Sequence, residues 1–91
     1  MSVEVRIPTV LRKHTEGQKV VHGTGETIRA VLEDIGTRHA GLAGAIIGED
    51  GGLARFINMY LNDEDVRYLD QLDTKVSDGD VVSILPAVAG G

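Results

Sequence analysis

Asp78–Gly91, DGDVVSILPAVAGG, closes the chain and decides how the rest is read. Asp78-Gly79-Asp80 is a turn signal. The apolar run Val81 to Leu85 then reads as a strand. Val82 and Ile84 make one face apolar, and Val81 and Leu85 make the other apolar too. A strand apolar on both faces belongs in the middle of a sheet. Pro86 has no N–H to donate, so the ladder is expected to stop there. The remaining residues, Ala87-Val88-Ala89-Gly90-Gly91, are small and uncharged. A tail without purpose is more often polar and ragged. At average glycine usage of ~7%, a terminal Gly-Gly arises by chance in roughly 0.5% of chains. The reading is a folded body over 1–85 and a flexible handle over 86–91, with the Gly91 carboxylate as the reactive group.

Working back from that strand, the body can be read from periodicity. Val3, Val5 and Ile7 alternate with Glu4 and Arg6, which predicts a half-buried strand ended by Pro8. A polar turn over 9–18 leads to a second short strand, Lys19 to His22, and so to a hairpin with a long loop. Thr27 is the first candidate for the N-cap and Thr24 the second, and Ile28, Val31, Leu32 and Ile35 form one helical stripe. The helix fades near His39, and Leu42 to Ile47 forms another short helical turn. Leu53 to Leu61 is the third strand. Asn62 to Asp65 is a turn, Val66 and Arg67 begin a short fourth strand, and Leu69, Leu72 and Val76 pin the connection onward. The order predicts an α+β fold: a mixed five-stranded sheet packed on one main helix.

Composition excludes several functions. The chain has 91 residues and a formal charge of −5, with three aromatics, Phe56, Tyr60 and Tyr68. Nucleic-acid binding needs a basic face and stacking rings, and neither is present. The absence of cysteine removes disulfides, thiolate metal sites and a protein-bound persulfide. No segment reads as a signal peptide or membrane span, so no membrane partner and a cytoplasmic location are expected. Gly23-Thr24-Gly25 precedes a helix, but Ile28 stands where a dinucleotide loop needs its third glycine. His14, His22 and His39 have no metal-ligand spacing. Asp63, Glu64 and Asp65 lack the glycine and distal glutamate of a calcium loop. No serine sits in a nucleophile elbow. The expectation is a carrier or binding protein that is not an enzyme and binds no cofactor.

A carboxylate becomes a useful electrophile only after activation, for instance by adenylation. A tail without Cβ atoms near its end can be threaded through a narrow channel to a nucleotide. Pro86, Ala87, Val88, Ala89 and Gly90 are then partner-binding residues. If Ile57, Met59 and Leu61 point inward, Phe56 and Tyr60 point outward with Leu85, an apolar patch for the same partner.

DGDVVSILPAVAGG is similar to the closing signature of the ubiquitin-like β-grasp sulfur carriers, the family of the molybdopterin-synthase small subunit and the thiamine thiazole carrier. Ile7-Pro8-Thr9 onward (IPTVLRKHTEGQKVV), Arg55 onward (RFINMYLNDEDVR) and the ILPAVAGG ending more narrowly resemble actinobacterial carriers used in cysteine biosynthesis. The resemblance implies that an E1-like enzyme uses ATP to adenylate Gly91, and that sulfur replaces one oxygen to give a thiocarboxylate. It implies a pyridoxal-phosphate-dependent (PLP-dependent) cysteine synthase as acceptor of the sulfur, and a JAMM-type metalloprotease that releases the product. Three other readings stand beside it. The same carrier chemistry can serve molybdopterin, thiazole or thiosugar synthesis. A ubiquitin-like modifier uses the same adenylation. A plain interaction module would have an incidental tail.

Overall fold

A computed structural model describes residues 2–86. Strand β1 (Val3–Arg6) buries Val3 and Val5 and turns Glu4 and Arg6 to the other face, as a period of two requires. Strand β2 (Val20–Gly23) returns antiparallel, with Glu4 opposite His22 and Val5 opposite Val21. The connection differs from the polar turn expected over 9–18. It contains a 3-10 helix, Thr9–Thr15, with Leu11 and Thr15 buried. Leu11 anchors it in the core. The Thr15 hydroxyl lies 2.9 Å from the Gln18 carbonyl and 3.2 Å from the Arg12 carbonyl, so its burial is satisfied.

Helix α1 (Ile28–Gly36) starts where Thr27 Oγ1 accepts from the Ala30 N–H at 3.1 Å. The stripe Ile28, Val31, Leu32 and Ile35 is at most 1% exposed. It shares one core with Val3, Val5, Ile57, Met59, Val82 and Ile84 from the sheet. Gly23 has a packing reason rather than a phosphate-binding one. A Cβ there would sit 2.8 Å from both Ile35 Cγ1 and the Val31 carbonyl oxygen. Only glycine lets the end of β2 lie this close to α1. Helix α2 (Ala40–Ile46) comes next and buries Leu42 and Ile46.

Strand β3 (Ile57–Leu61) is shorter than the expected 53–61, and Leu53 makes only an isolated bridge with Ile47. Strand β4 is Glu64–Asp65. The turn between them is Asn62 and Asp63 alone, both with positive φ (49° and 73°). That is the left-handed geometry of a two-residue hairpin, which asparagine and aspartate tolerate. The strand expected to begin at Val66 and Arg67 is instead a 3-10 turn, Val66–Tyr68. Asp65 Oδ1 accepts from the Arg67 N–H at 2.9 Å and bends the chain out of the sheet. Leu72 and Val76 are buried in the connection beyond it, and Leu69 is half-buried.

Strand β5 (Val81–Pro86) takes the centre of the sheet, in the order β2-β1-β5-β3-β4. It runs parallel to β1 and antiparallel to β3. This is the mixed five-stranded sheet that the sequence predicts, in the arrangement that the resemblance to the β-grasp carriers implies. The strand includes Pro86, one residue beyond the expected stop, and the register explains why. The Asn62 N–H donates to the Val81 carbonyl at 2.9 Å, which makes Asn62/Val81, Tyr60/Ser83 and Asn58/Leu85 the hydrogen-bonded pairs. Pro86 faces Ile57 in a pair that exchanges no bonds. On the other flank, pairing with β1 ends at Ser83. A proline at this position therefore removes no ladder bond.

Candidate functional site

The last described residue, Pro86, stands at the end of the central strand, with Leu85 before it 48% exposed. The candidate tail residues Ala87, Val88, Ala89, Gly90 and Gly91 lie outside the described residues. The fold thus fixes the base from which they depart and the surface around it.

That surface is the sheet face opposite α1. Ser83 and Leu85 of β5 share it with Asn58 and Tyr60 of β3 and with Arg6 of β1. A shallow depression of about 500 Å³ runs beside β5, lined by Arg6, Pro8, Arg12, Tyr60, Ser83 and Leu85 among others. β5 continues where β1 has stopped short of Pro8, and the missing neighbour leaves the hollow. Arg12 Nε donates to the Ile7 carbonyl at 3.2 Å, which holds its guanidinium at the rim. Arg6 pairs with Glu4 at 2.9 Å. Asp63 is the one acidic residue on the lining, and with Arg6 paired to Glu4, Arg12 is the lining cation without an ion-pair partner among the described residues.

Of the three candidate surface residues, Tyr60 and Leu85 line this depression and Phe56 does not. Phe56 is 63% exposed in the turn before β3. Sequence reasoning missed Arg6, Arg12 and Arg67. Arg67 Nη1 donates to Asn58 Oδ1 at 2.6 Å and Nη2 to the Ile57 carbonyl at 3.0 Å, which fixes the outer face of β3 beside Leu85. No local pattern marks an arginine that reaches back ten residues across a hairpin.

Elsewhere the charged groups act as braces. Asp34 is held below the ordinary carboxylate value, first by the Thr24 N–H at 2.9 Å and next by the Arg38 side chain at 3.3 Å. Arg29 bridges the Gly51 carbonyl at 2.6 Å and Asp73 at 3.2 Å. It thereby ties two loops to α1 across a polar hollow of about 580 Å³. Among the described residues, no group of His, Asp and Glu is placed to hold a metal ion, and no helix is long and apolar enough to cross a membrane. The surface so described can dock a partner and aim a chain end at it.

Comparison with known proteins identifies the family. The ThiS family model matches residues 5–91. The sulfur carrier protein CysO of Mycobacterium tuberculosis is 50% identical over 93 aligned positions, covering 100% of both chains. Small archaeal modifier protein 3 of Haloferax volcanii is 36% identical over 94 positions, again covering 100% of both. The crystal structure of the Amycolatopsis orientalis BexX/CysO complex contains a chain with 50% identity and a TM-score of 0.90, over 98% of this chain and 99% of that one. A family match from β1 to Gly91, on a sheet closed by the strand that leads to Gly-Gly, means that the chain belongs to the ThiS family.

Proposed function

We propose that this protein is a sulfur carrier whose Gly91 carboxylate is adenylated, converted to a thiocarboxylate and used to supply sulfur for cysteine biosynthesis. The observation that supports it is the end-to-end 50% identity to the sulfur carrier protein CysO. The chemistry fits the residues. A carboxylate oxygen of Gly91 attacks the α-phosphorus of ATP on an E1-like enzyme and pyrophosphate leaves. A sulfur nucleophile then displaces AMP, leaving sulfur on the carbonyl carbon. The chain has no cysteine to hold sulfur elsewhere. The thiocarboxylate sulfur forms a C–S bond to the amino-acid acceptor supplied by a PLP-dependent cysteine synthase, the resulting thioester transfers its acyl group from sulfur to the amino nitrogen, and a JAMM-type metalloprotease hydrolyses that amide to release cysteine and restore the Gly91 carboxylate. ATP belongs to the activating enzyme, and the carrier is its co-substrate in the cytoplasm. Pro86, Ala87, Val88, Ala89 and Gly90 occupy the partner's channel, while Tyr60 and Leu85 dock the body.

The test compares the full chain with a variant lacking Gly91 in ATP–pyrophosphate exchange with the activating enzyme. Removing one residue withdraws the carboxylate from the α-phosphorus, and a displacement of this kind lowers rates by orders of magnitude. Exchange should be lost while the melting temperature is unchanged. Exchange at the normal rate without Gly91 would sink the proposal. A second reading, a ubiquitin-like protein modifier, draws on the 36% identity to small archaeal modifier protein 3. Mass spectrometry of protein from its host separates the two. A carrier shows sulfur in place of oxygen at Gly91, and a modifier shows Gly91 in isopeptide linkage to lysine.

A further inference from the structure

Strand β2 is an edge, with β1 on one side and, among the described residues, no strand on the other. The Ile7 N–H donates to the Lys19 carbonyl at 2.8 Å, which sets the hydrogen-bonding phase of the β1–β2 ladder. Val5/Val21 and Val3/Gly23 are the bonded pairs, and Arg6/Val20 and Glu4/His22 are not. The main-chain groups of Val20 and His22 therefore point away from the sheet. The His22 carbonyl accepts from Arg38 Nη2 at 2.6 Å. Among the described residues, none takes the Val20 N–H, the Val20 carbonyl or the His22 N–H. The open edge has defined ends. Gln18 is closed by Thr15, through an N–H donated to the Thr15 carbonyl at 3.0 Å and a carbonyl 2.9 Å from its hydroxyl. At the other end Arg38 covers His22, and Gly23 is buried.

A groove of about 410 Å³ runs along this edge, walled by Val20 and His22 on one side and by Arg38 and His39 on the other. Arg38 spends Nη2 on the His22 carbonyl and on Asp34, and its remaining donors are unused among the described residues. Glu16 is the one acid on the lining. Lys19, exposed, adjoins it.

We infer that this edge receives an extended segment of a partner protein, which joins β2 as a sixth strand. Side chains alternate across a strand, so the segment has two faces. Apolar residues on one face cover Val20, which is 38% exposed. Acidic residues on the other face meet the free donors of Arg38, an arrangement suited to bidentate pairing. The inference is independent of the tail chemistry. β1 stands between β2 and β5, so a partner held here leaves the end of β5 open to a second one.

The probe is a capped synthetic peptide of alternating valine and aspartate, titrated into the full-length protein and followed by amide NMR and hydrogen exchange. Saturable shifts at Val20, His22 and Arg38, with slowed exchange of the Val20 and His22 amides, are expected. A peptide with lysine replacing aspartate should bind about tenfold more weakly or worse, and Arg38→Gln should weaken the aspartate peptide several-fold to about tenfold. Val20→Pro removes an outward N–H without touching the β1 ladder and should have a similar effect. If Val20→Pro fails to fold, Arg38→Gln carries the test, since that side chain lies outside the ladder. Four results would overturn the inference: no saturation at millimolar peptide, equal binding of the lysine peptide, shifts mapping to the Tyr60–Leu85 hollow, or protection of Val20 and His22 brought on by raising protein concentration alone. The last would assign the edge to a second copy of this chain.

Discussion

Leu32 is 1% exposed beneath the sheet, and its truncation is the plainest test of the core. Leu32→Ala removes buried carbons and leaves a cavity in a core rich in stiff β-branched residues, Val5, Val31 and Val82 among them. It should cost about 2–5 kcal/mol, read as a lower urea midpoint at unchanged slope. Two glycines should respond to alanine with opposite signs. At Gly23 the new Cβ would meet the Val31 carbonyl oxygen at 2.8 Å. Backbone cannot swing away, so Gly23→Ala should destabilise by about 1–3 kcal/mol. At Gly44, inside α2, nothing lies within 4 Å of the new Cβ. Gly44→Ala should stabilise by up to about 1 kcal/mol from helix propensity alone. Thermal melts of the pair decide it, and equal shifts would refute the packing account. The stripe containing Leu32 was legible because a 3.6-residue period is written along the chain. The role of Gly23 was not, because the atom that forbids a side chain there belongs to α1.

At the scale of elements, the entrance and exit of α1 are clasped together. Asp34 accepts from the Thr24 N–H, and Arg38 donates to the His22 carbonyl. The strand that enters the helix is thus tied to its last turns. Asp34 is ionised more readily in the folded chain than in the unfolded one. Its contribution is therefore complete above the unfolded carboxylate value of about 3.9 and is lost as pH falls through the lower, folded value. Asp34→Asn should melt below the parent protein at neutral pH, and the difference should shrink in acid. A difference that does not shrink as pH falls through the folded value of Asp34 would show that charge is not the cause. Elements differ in how far sequence discloses them, for physical reasons. Thr27 discloses the start of α1 because capping is local. The 3-10 helix Thr9–Thr15 is hidden because one buried leucine, Leu11, is its only apolar anchor on the core. β4 is misread by two residues because the Asn62-Asp63 turn is tight and Val66 is buried by a bend rather than by a ladder. Pro86 suggests a stop, but the phase of the β3–β5 bonds makes it harmless. The family was legible from the ending that carries Gly90 and Gly91, whereas the arginines around the end of β5 were not, since Arg6, Arg12 and Arg67 are brought there by three different elements.

At the scale of the whole molecule, the proposed function gives the tail and the depression one joint task. Residues 86–91 span about 20 Å when extended, so the partner must hold the body at that distance from its nucleotide. Ordering the tail costs roughly 1–2 kcal/mol per residue in backbone entropy. Contacts with the body help to offset that cost, and the hollow beside β5 is where they are available. Tyr60 and Leu85 supply its apolar surface, and Arg6 and Arg12 supply positive charge on a chain of net charge −5. The double variant Tyr60→Gln, Leu85→Gln should therefore raise KM for the carrier about tenfold or more in ATP–pyrophosphate exchange, while kcat changes little. The contacts are made equally before and during adenylation, so their loss is a uniform binding loss. Melting should be nearly unaffected, because Leu85 is 48% exposed and contributes little to the core. Phe56→Gln serves as the internal control. It is apolar and even more exposed than Leu85 but lies off the lining, so it should move KM much less. A double variant with normal KM, or a Phe56 variant with the larger effect, would place the docking surface elsewhere on the sheet.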